Sequence, residues 1–392
     1  MSFKYKLFIP IKHTSMRHQI ILLLIIITTK VFSQNNFQKD SISLIFMGDI
    51  MGHTPQIKAA FNANTGTYNY DNVFEKVAPI IKEADFAIAN LEVTLSGAPY
   101  KGYPQFSSPD ALAIACKNSG MDVLVTANNH SCDGGKKGIL RTINVLDSLK
   151  IKHTGTFKNF SDKEKNNLLI LNKNNIKVGL LNYTYGTNGL KVPKPTIVNQ
   201  IDTLAMLADI QKSKASALDK LIVLIHWGNE YQSHPSKKQL KIADFLFKNG
   251  VDIVIGGHPH VLQKMEHFKK DATNKKERFI AYSLGNFISN QRTRKRDGGA
   301  ILKITLTKKN NEVTITNPGY YLTWVDKTFT NGKLNYKIIP CATASENNFE
   351  DMETSHIKKM KLFMSDTKAL FDKENTNVKE ITIDKNNKLS NN

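Results

Sequence analysis

Short runs rich in Val, Ile and Leu recur along the chain, and nearly every one stops at a side chain able to hold a metal ion or a proton. Ser43–Met47 leads into Gly48-Asp49, Phe86–Ala89 into Asn90-Leu91-Glu92, and Val123–Thr126 into Asn128-Asn129-His130. Leu221–Ile225 leads into His226-Trp227-Gly228-Asn229-Glu230, Ile253–Ile255 into Gly256-Gly257-His258-Pro259-His260, and Phe279–Tyr282 into Ser283-Leu284-Gly285-Asn286. These runs, with Lys177–Leu181, show little alternation, as expected of strands covered on both faces.

Helical patterns separate them at Val73–Ala84, Asp110–Asn118, Lys137–Leu149, Leu204–Leu218 and Lys237–Lys248. Strands alternating with helices predict an α/β layered fold, β-sheets flanked by helices. Ala300–Leu306 and Glu312–Thr316 read as a hairpin around Lys308–Asn311. A helix is expected around Asp351–Phe371, and disorder from Glu374, where too little apolar surface remains to offset chain entropy.

In open α/β sheets the carboxyl ends of neighbouring strands converge on one crevice. Residues more than two hundred positions apart can therefore share a site. Asp49, Glu92, Asn129, His226, His258 and His260 offer carboxylate, amide and imidazole donors, a mixture suited to zinc, manganese or iron. Gly257-His258-Pro259-His260 is the sharpest block, because two histidines around a proline in a loop serve no packing need. Trp227, Glu230, Asn90 and Asn286 follow as candidate substrate contacts. Glu230 has a second reading, ordering a histidine from behind, and Trp227 has one as a packing wedge. His53, His153, His234, His267 and His356 have no motif around them and are expected at the surface, with His53 as an alternative metal ligand near Asp49.

Ile20–Ile27 is eight apolar residues, too short for the roughly 20 a membrane-spanning helix needs. Lys4, Lys6, Lys12 and Arg17 precede it and Ser33 follows, the order of a secretory signal, with cleavage expected after Ser33 and export to the periplasm or cell envelope. Residues 1–33 hold five Lys or Arg and no acid, so their removal lowers the net charge from +20 to +15. The remaining Lys is scattered among Asn, without the basic stripe and interleaved aromatics of a nucleic-acid groove. Nucleic acid is not expected as a partner, and a basic surface outside the cell favours anionic polymers or phosphorylated lipids. Three cysteines (Cys116, Cys132, Cys341) cannot all pair within one chain, and three free buried thiols are expected.

The six blocks, in this order, resemble the motif set of the CapA family of capsule and poly-γ-glutamate biosynthesis proteins, within the calcineurin-like metallophosphoesterase superfamily. The resemblance covers roughly Ser43 to Ile304. It implies a metallophosphatase-like domain over 41–340, followed by a polar extension over 341–392, with the metal site at the carboxyl ends of the strands. It also implies that Asp49 and His260 bind one metal, that Asn129, His226 and His258 bind a second, and that Glu92 bridges. His130 becomes the acid that protonates the leaving group, a task that suits a histidine. The wider superfamily opens with Asp-x-His, whereas Ile50 and Met51 follow Asp49 here. Two functions follow: a metal-dependent hydrolase of phosphoester or amide bonds in an anionic envelope polymer, or a non-catalytic polymer-binding subunit beside a membrane-bound capsule synthase.

Overall fold

Both faces of the central strands are apolar, and that demands cover on each side. The computed structural model describes Met1, Phe3 and residues 40–330, 332–341, 349, 352–383 and 389–390. The chain divides into units Met1–Asp40 and Ser41–Asn392. All elements below belong to the second; the expected signal cleavage at Ser33 lies outside the described residues.

The main strands are β1 (Ser41–Ile50), β2 (Phe86–Leu91), β3 (Val123–Val125), β4 (Lys152–Thr154), β5 (Leu169–Lys173), β6 (Ile176–Thr184), β7 (Lys220–His226) and β8 (Ile253–Gly257). They continue with β9 (Leu262–Phe268), β10 (Arg278–Leu284), β11 (Asn286–Ile288), β12 (Gly298–Lys309), β13 (Glu312–Thr330), β14 (Lys333–Pro340) and β15 (Lys379–Glu380). The main helices are α1 (Thr54–Ala60), α2 (Ala78–Lys82), α3 (Ala111–Asn118), α4 (Gly135–Ser148), α5 (Thr203–Ser213), α6 (Lys237–Lys248) and α7 (Thr354–Glu374).

One sheet runs β14-β13-β12-β1-β2-β3-β4, the other β9-β10-β8-β7-β6-β5. In the first, β1 to β4 are parallel. In the second, β6, β7, β8 and β10 are parallel. The alternation of side chains sorts the core. Ile42, Leu44 and Phe46 of β1 meet Ile222 and Leu224 of β7 and Ile253 and Ile255 of β8 between the sheets. Ile45 and Met47 face the other way, against Ile80 and Ile81 of α2 and Leu112 of α3. Val223 and Ile225 turn outward onto Ile210 of α5 and Ile242 and Leu246 of α6. The result is the expected layering, helices on each outer side of two facing sheets.

Several expectations are corrected. The helix over Val73–Ala84 is broken into Asp71–Phe74 and Ala78–Lys82, because Pro79 has no amide to continue the ladder. The helix over Leu204–Leu218 ends at Ser213 in a 3-10 turn, Lys214–Ser216, with Ala217 in the left-handed region at φ 47°. The hairpin forms but is longer than expected, and Asn310 and Asn311 supply the two positive φ values, 51° and 63°, at its tip.

The segment after 340 is built into the domain rather than appended. Met360, Phe363 and Phe371 of α7 join the core between the sheets. Beyond Glu374, where disorder was expected, Thr376 exchanges backbone hydrogen bonds with Met265 and His267, and β15 pairs with β13 at Gly319 and Tyr320. Val378 and Ile381 are buried. Two apolar side chains suffice there because open backbone edges of β9 and β13 supply the rest. Cys116, Cys132 and Cys341 are free and buried.

Candidate metal centre

A one-residue bulge at Gly48 sets Asp49. The pairing of β1 with β2 shifts between Met47 and Asp49, so Asp49 lies opposite Asn90. Glycine is required, since a Cβ on Gly48 would stand 2.0 Å from the Gly285 carbonyl oxygen. Asp49 N donates to that same oxygen at 3.0 Å. The carboxyl ends of β1, β2 and β3 thereby face those of β7, β8 and β10, and Asp49, Glu92, Asn128, Asn129, His130, His226, His258 and His260 are all buried there.

Asp49 Oδ1 accepts from Asn90 Nδ2 at 2.8 Å, and Oδ2 accepts from the His258 amide at 3.2 Å. His260 Nδ1 lies 3.4 Å from Asp49 Oδ2 and 3.0 Å from Asn286 Oδ1. Both neighbours are acceptors, so Nδ1 carries the proton and Nε2 is left as the ligand atom, 3.9 Å from Glu92 Oε1. His226 Nε2 stands 3.3 Å from Glu92 Oε1 and 2.8 Å from Asn129 Oδ1. Three overlapping groups result: Asp49, Glu92 and His260; Glu92, His226 and His258; and Glu230, His258 and His260. Within each, the donor atoms lie within 4.8 Å of one another. Glu92 is shared by the first two.

These residues fit a divalent cation. Both carboxylate oxygens of Glu92 are buried without any hydrogen-bond partner, and so is His258 Nδ1. An unpaired buried carboxylate costs several kcal/mol, a cost a cation removes. Burial and the neighbouring Asp49 push Glu92 well above the usual carboxylate range. Burial opposes ionisation of Asp49 as well, but its hydrogen bond with His260 and the charges of His226 and His260 hold it below that range. Burial brings His226 down to about 3 and His258 down to about 2. Both are therefore neutral near pH 7, the state in which imidazole binds metal. For His260, Glu92 and Asp49 overcome burial and raise it to about 9.

Backbone strain points the same way. His258 and His260 have φ values of 95° and 57°, in the region that favours glycine. Such conformations cost on the order of 1–3 kcal/mol each and persist where surrounding contacts impose them. Here the amide of Trp227 donates to Gly257 O at 3.1 Å and that of Tyr231 to Pro259 O at 2.8 Å. Gly257 itself leaves room for Asp49, whose Oδ1 would stand 2.8 Å from a Cβ there.

His130 lies at the edge of the cluster with its ring edge-on to Phe106, centroids 4.6 Å apart. Its Nδ1 donates to Asp133 Oδ2 at 2.7 Å, and the same oxygen accepts from the Phe106 amide at 2.6 Å. Asp133 was not singled out in the sequence, although an acid three residues after a histidine in a single turn is a legible signal.

The candidate substrate contacts are reassigned. Trp227 is 1% exposed, with Nε1 donating to Tyr282 O at 3.0 Å and its ring stacked on Tyr282, so it packs the core. Asn90 is engaged by Asp49, by His226 Nδ1 at 3.3 Å and by Asn128 Nδ2 at 3.1 Å. Asn286 is wholly buried and bridges His260 to Arg296 O, which its Nδ2 reaches at 2.8 Å. Both position other groups. Glu230 is exposed and faces His258 and His260.

His53 is half-buried, bonded to Gln56 and Asn290, and belongs to none of the three donor groups. His267, expected at the surface, is buried against Glu277 at 3.1 Å, and His356 is partly buried on Asp326 at 2.7 Å. His153 is half-buried, 3.0 Å from Asp147. Of these five histidines, His234 alone is largely exposed, 2.9 Å from Glu374. A cleft of about 1190 Å³ opens at the opposite ends of β7, β8 and β10, lined by Lys220, Asp252, His267 and Glu277, and contains none of the clustered donors.

Two facing sheets, helices outside them, and carboxylates and imidazoles gathered at the carboxyl ends define a layered α/β protein with a metal-capable centre. The pattern of the bacterial capsule synthesis protein PGA_cap family matches residues 43–291, and the chain belongs to that family. It is 30% identical over 278 residues to the capsule biosynthesis protein CapA of Bacillus anthracis, a match spanning 67% of this chain and 64% of that protein's own length. It is 29% identical over 274 residues to the PGA biosynthesis protein CapA of Bacillus subtilis (strain 168), covering 68% of each. Among solved structures, it is similar to the NAD nucleotidase NadN of Haemophilus influenzae at 14% identity and a TM-score of 0.46, over 84% of this chain and 60% of that one. The calcineurin-like phosphoesterase YfkN of Bacillus subtilis matches at 14% identity and a TM-score of 0.41, over 83% and 99%.

Proposed function

We propose that this chain is an exported metal-dependent hydrolase of capsule or envelope polymer synthesis, cleaving a phosphoester or amide bond in an anionic polymer such as poly-γ-glutamate. The observation that carries this reading is Glu92, a buried carboxylate without hydrogen-bond partners where two donor groups overlap. One or two divalent ions (manganese, zinc or iron) would be held by Asp49, Glu92, Asn129, His226, His258 and His260. When bound, such ions supply Lewis-acid polarisation of the scissile group and a more acidic water.

The chain's own residues do the rest. Asp133 fixes the proton of His130 on Nδ1, leaving Nε2 to deliver a proton to the leaving group. Phe106 packs at right angles to that ring, centroids 4.6 Å apart. Asn90 and Asn286 hold Asp49 and His260 in position. Export rests on the basic residues and apolar run of the first 33 positions. Among the described residues no helix is long and apolar enough to cross a membrane.

The second reading, a polymer-binding subunit beside a membrane synthase, is favoured by Met51. It occupies the position of the superfamily histidine and is buried in the core beside Ile50. The Asp49 group then has three protein donors. That number also matches catalytic sites, which keep one position open.

The test is metal analysis of wild type and His260→Ala, followed by assays on phosphomonoesters, phosphodiesters and γ-glutamyl amides with His130→Ala as control. Bound metal that His260→Ala loses, with turnover that His130→Ala loses, is the expected result. Polymer binding without turnover, unchanged in His130→Ala, would establish the second reading instead.

A further inference from the structure

The loop before β12 carries Arg292, Arg294, Lys295 and Arg296, and its arginines are occupied differently. Arg294 forms a two-pronged pair with Asp366, at 2.6 and 2.5 Å. Arg292 is largely buried over the Trp324 ring, 4.9 Å from its centroid. Like Arg292, Arg296 lies over an aromatic ring. Its guanidinium carbon lies 3.5 Å from the centroid of Tyr231, and among the described residues no carboxylate pairs with it.

That stack is fastened to the metal centre at both ends. Asn286 joins Arg296 O to His260 Nδ1. Tyr231 is tied by its amide to Pro259 O, between the two histidines, and has a left-handed φ of 67°. The Tyr231 ring lies 6.2 Å from that of His260. A guanidinium lying flat on a ring has its faces engaged and its N–H edge free, the edge that takes a planar anion with two hydrogen bonds.

The surroundings are those of a substrate path. Tyr185 and Tyr231 are each 40% exposed and Tyr103 is 75% exposed. The Tyr185 ring is tilted against that of His258, centroids 4.5 Å apart, and Tyr103 contacts Phe106, which meets His130. The exposed tyrosines thus rim the same cluster that Arg296 overlooks.

We propose that Arg296, held on Tyr231, is the anion-recognition group of this site. It takes a carboxylate or phosphate carried by the substrate on the unit next to the bond being cleaved. This rests on the proposed hydrolase reading for the word substrate, but the binding it describes is measurable without turnover. The subsite selects polymers with a charge on each repeat and discriminates against their neutral counterparts.

The experiment is calorimetric binding to the full chain, metal-loaded and metal-free, of three probes: γ-linked pentaglutamate, its methyl-esterified form, and tripolyphosphate. Wild type is expected to bind at least one anionic probe about 10- to 100-fold more tightly than the ester, the range of a charge-assisted hydrogen-bonded pair. Arg296→Ala and Tyr231→Ala should reduce anion binding to the level of the ester, with unchanged metal content showing an intact centre. Arg296→Lys should recover part of it. A response to pentaglutamate alone names carboxylate as the ligand, and one to tripolyphosphate alone names phosphate. An anion preference that survives in Arg296→Ala overturns the proposal, as does a wild type that binds neither anion. Arg296-dependent binding in a protein that shows no turnover would sink the hydrolase reading and leave this one standing.

Discussion

Asn90 donates to Asp49 at 2.8 Å from the neighbouring parallel strand, and the two residues are register partners across a bulge. A side chain that touches no reacting atom thus determines where a buried carboxylate points. Replacing Asn90 by Ala should lower divalent-metal affinity by about 10- to 100-fold, the usual cost of losing such a supporting contact. Competition with a chelator measures it. Unchanged affinity would mean that the His258 amide and His260 hold Asp49 without Asn90.

Asp133 offers a separate handle on the proton-transfer step. Asp133→Asn keeps the shape of the turn but removes the charge that fixes the His130 tautomer. The expected result is a kcat lower by about 10²-fold with KM and metal content unchanged, within the range for general acid catalysis. Equal losses in kcat and bound metal would place Asp133 in the structure of the centre instead.

Glu92→Gln should change stability in opposite directions with and without metal. Without metal the substitution removes a buried acid group whose ionisation burial and Asp49 oppose, so the melting temperature should rise by on the order of 5 °C. With saturating manganese or zinc the wild type should melt higher. The two orders, read by calorimetry on the same samples, either cross or they do not.

The metal-free protein should be most stable near neutral pH. Burial lowers His53 to about 4, His226 to about 3 and His258 to about 2, from an ordinary value of 6.5. Below pH 6.5 the unfolded chain therefore binds more protons than the folded one, and stability falls with acid. His260, raised to about 9, contributes fully below 6.5 and loses that contribution as pH rises through 9. Glu92, raised from 4.5 by burial and by Asp49, adds a loss that begins as pH rises above 4.5. Melting temperatures from pH 4 to 10 should trace this dome, and His258→Gln should flatten its acid limb. An acid limb as steep in that variant as in wild type would contradict the assignment.

The C-terminal segment is expected to matter for stability. A chain ending at Glu374 loses the burial of Val378 and Ile381, about 1.5–3 kcal/mol each at most, together with the β15 pairing. A melting temperature lower by about 5 °C or more should result. No change would show that the docked strand contributes nothing.

Much of the site was readable because it is local. Each apolar run and the polar block that ends it sit in one stretch of chain, so strand, turn and candidate ligand are written together, as in Ile253–His260. What the chain could not display was which atoms would be free. Trp227 and Asn286 look like substrate contacts until burial places one against Tyr282 and the other between His260 and Arg296. The edge strands Leu169–Lys173 and Leu262–Phe268 were not expected, since partners distant in sequence complete them.

By itself, then, the amino-acid order determined the strand-forming runs, the polar residues at their carboxyl ends and the helices that alternate with them. These depend on propensity and periodicity within about ten residues. The tertiary structure decided the division into two facing sheets, the orphaned oxygens of Glu92, the pairing of His130 with Asp133 and the docking of Val378 and Ile381. Those outcomes depend on burial and on hydrogen bonds between distant segments. Neither exists until the chain has closed on itself.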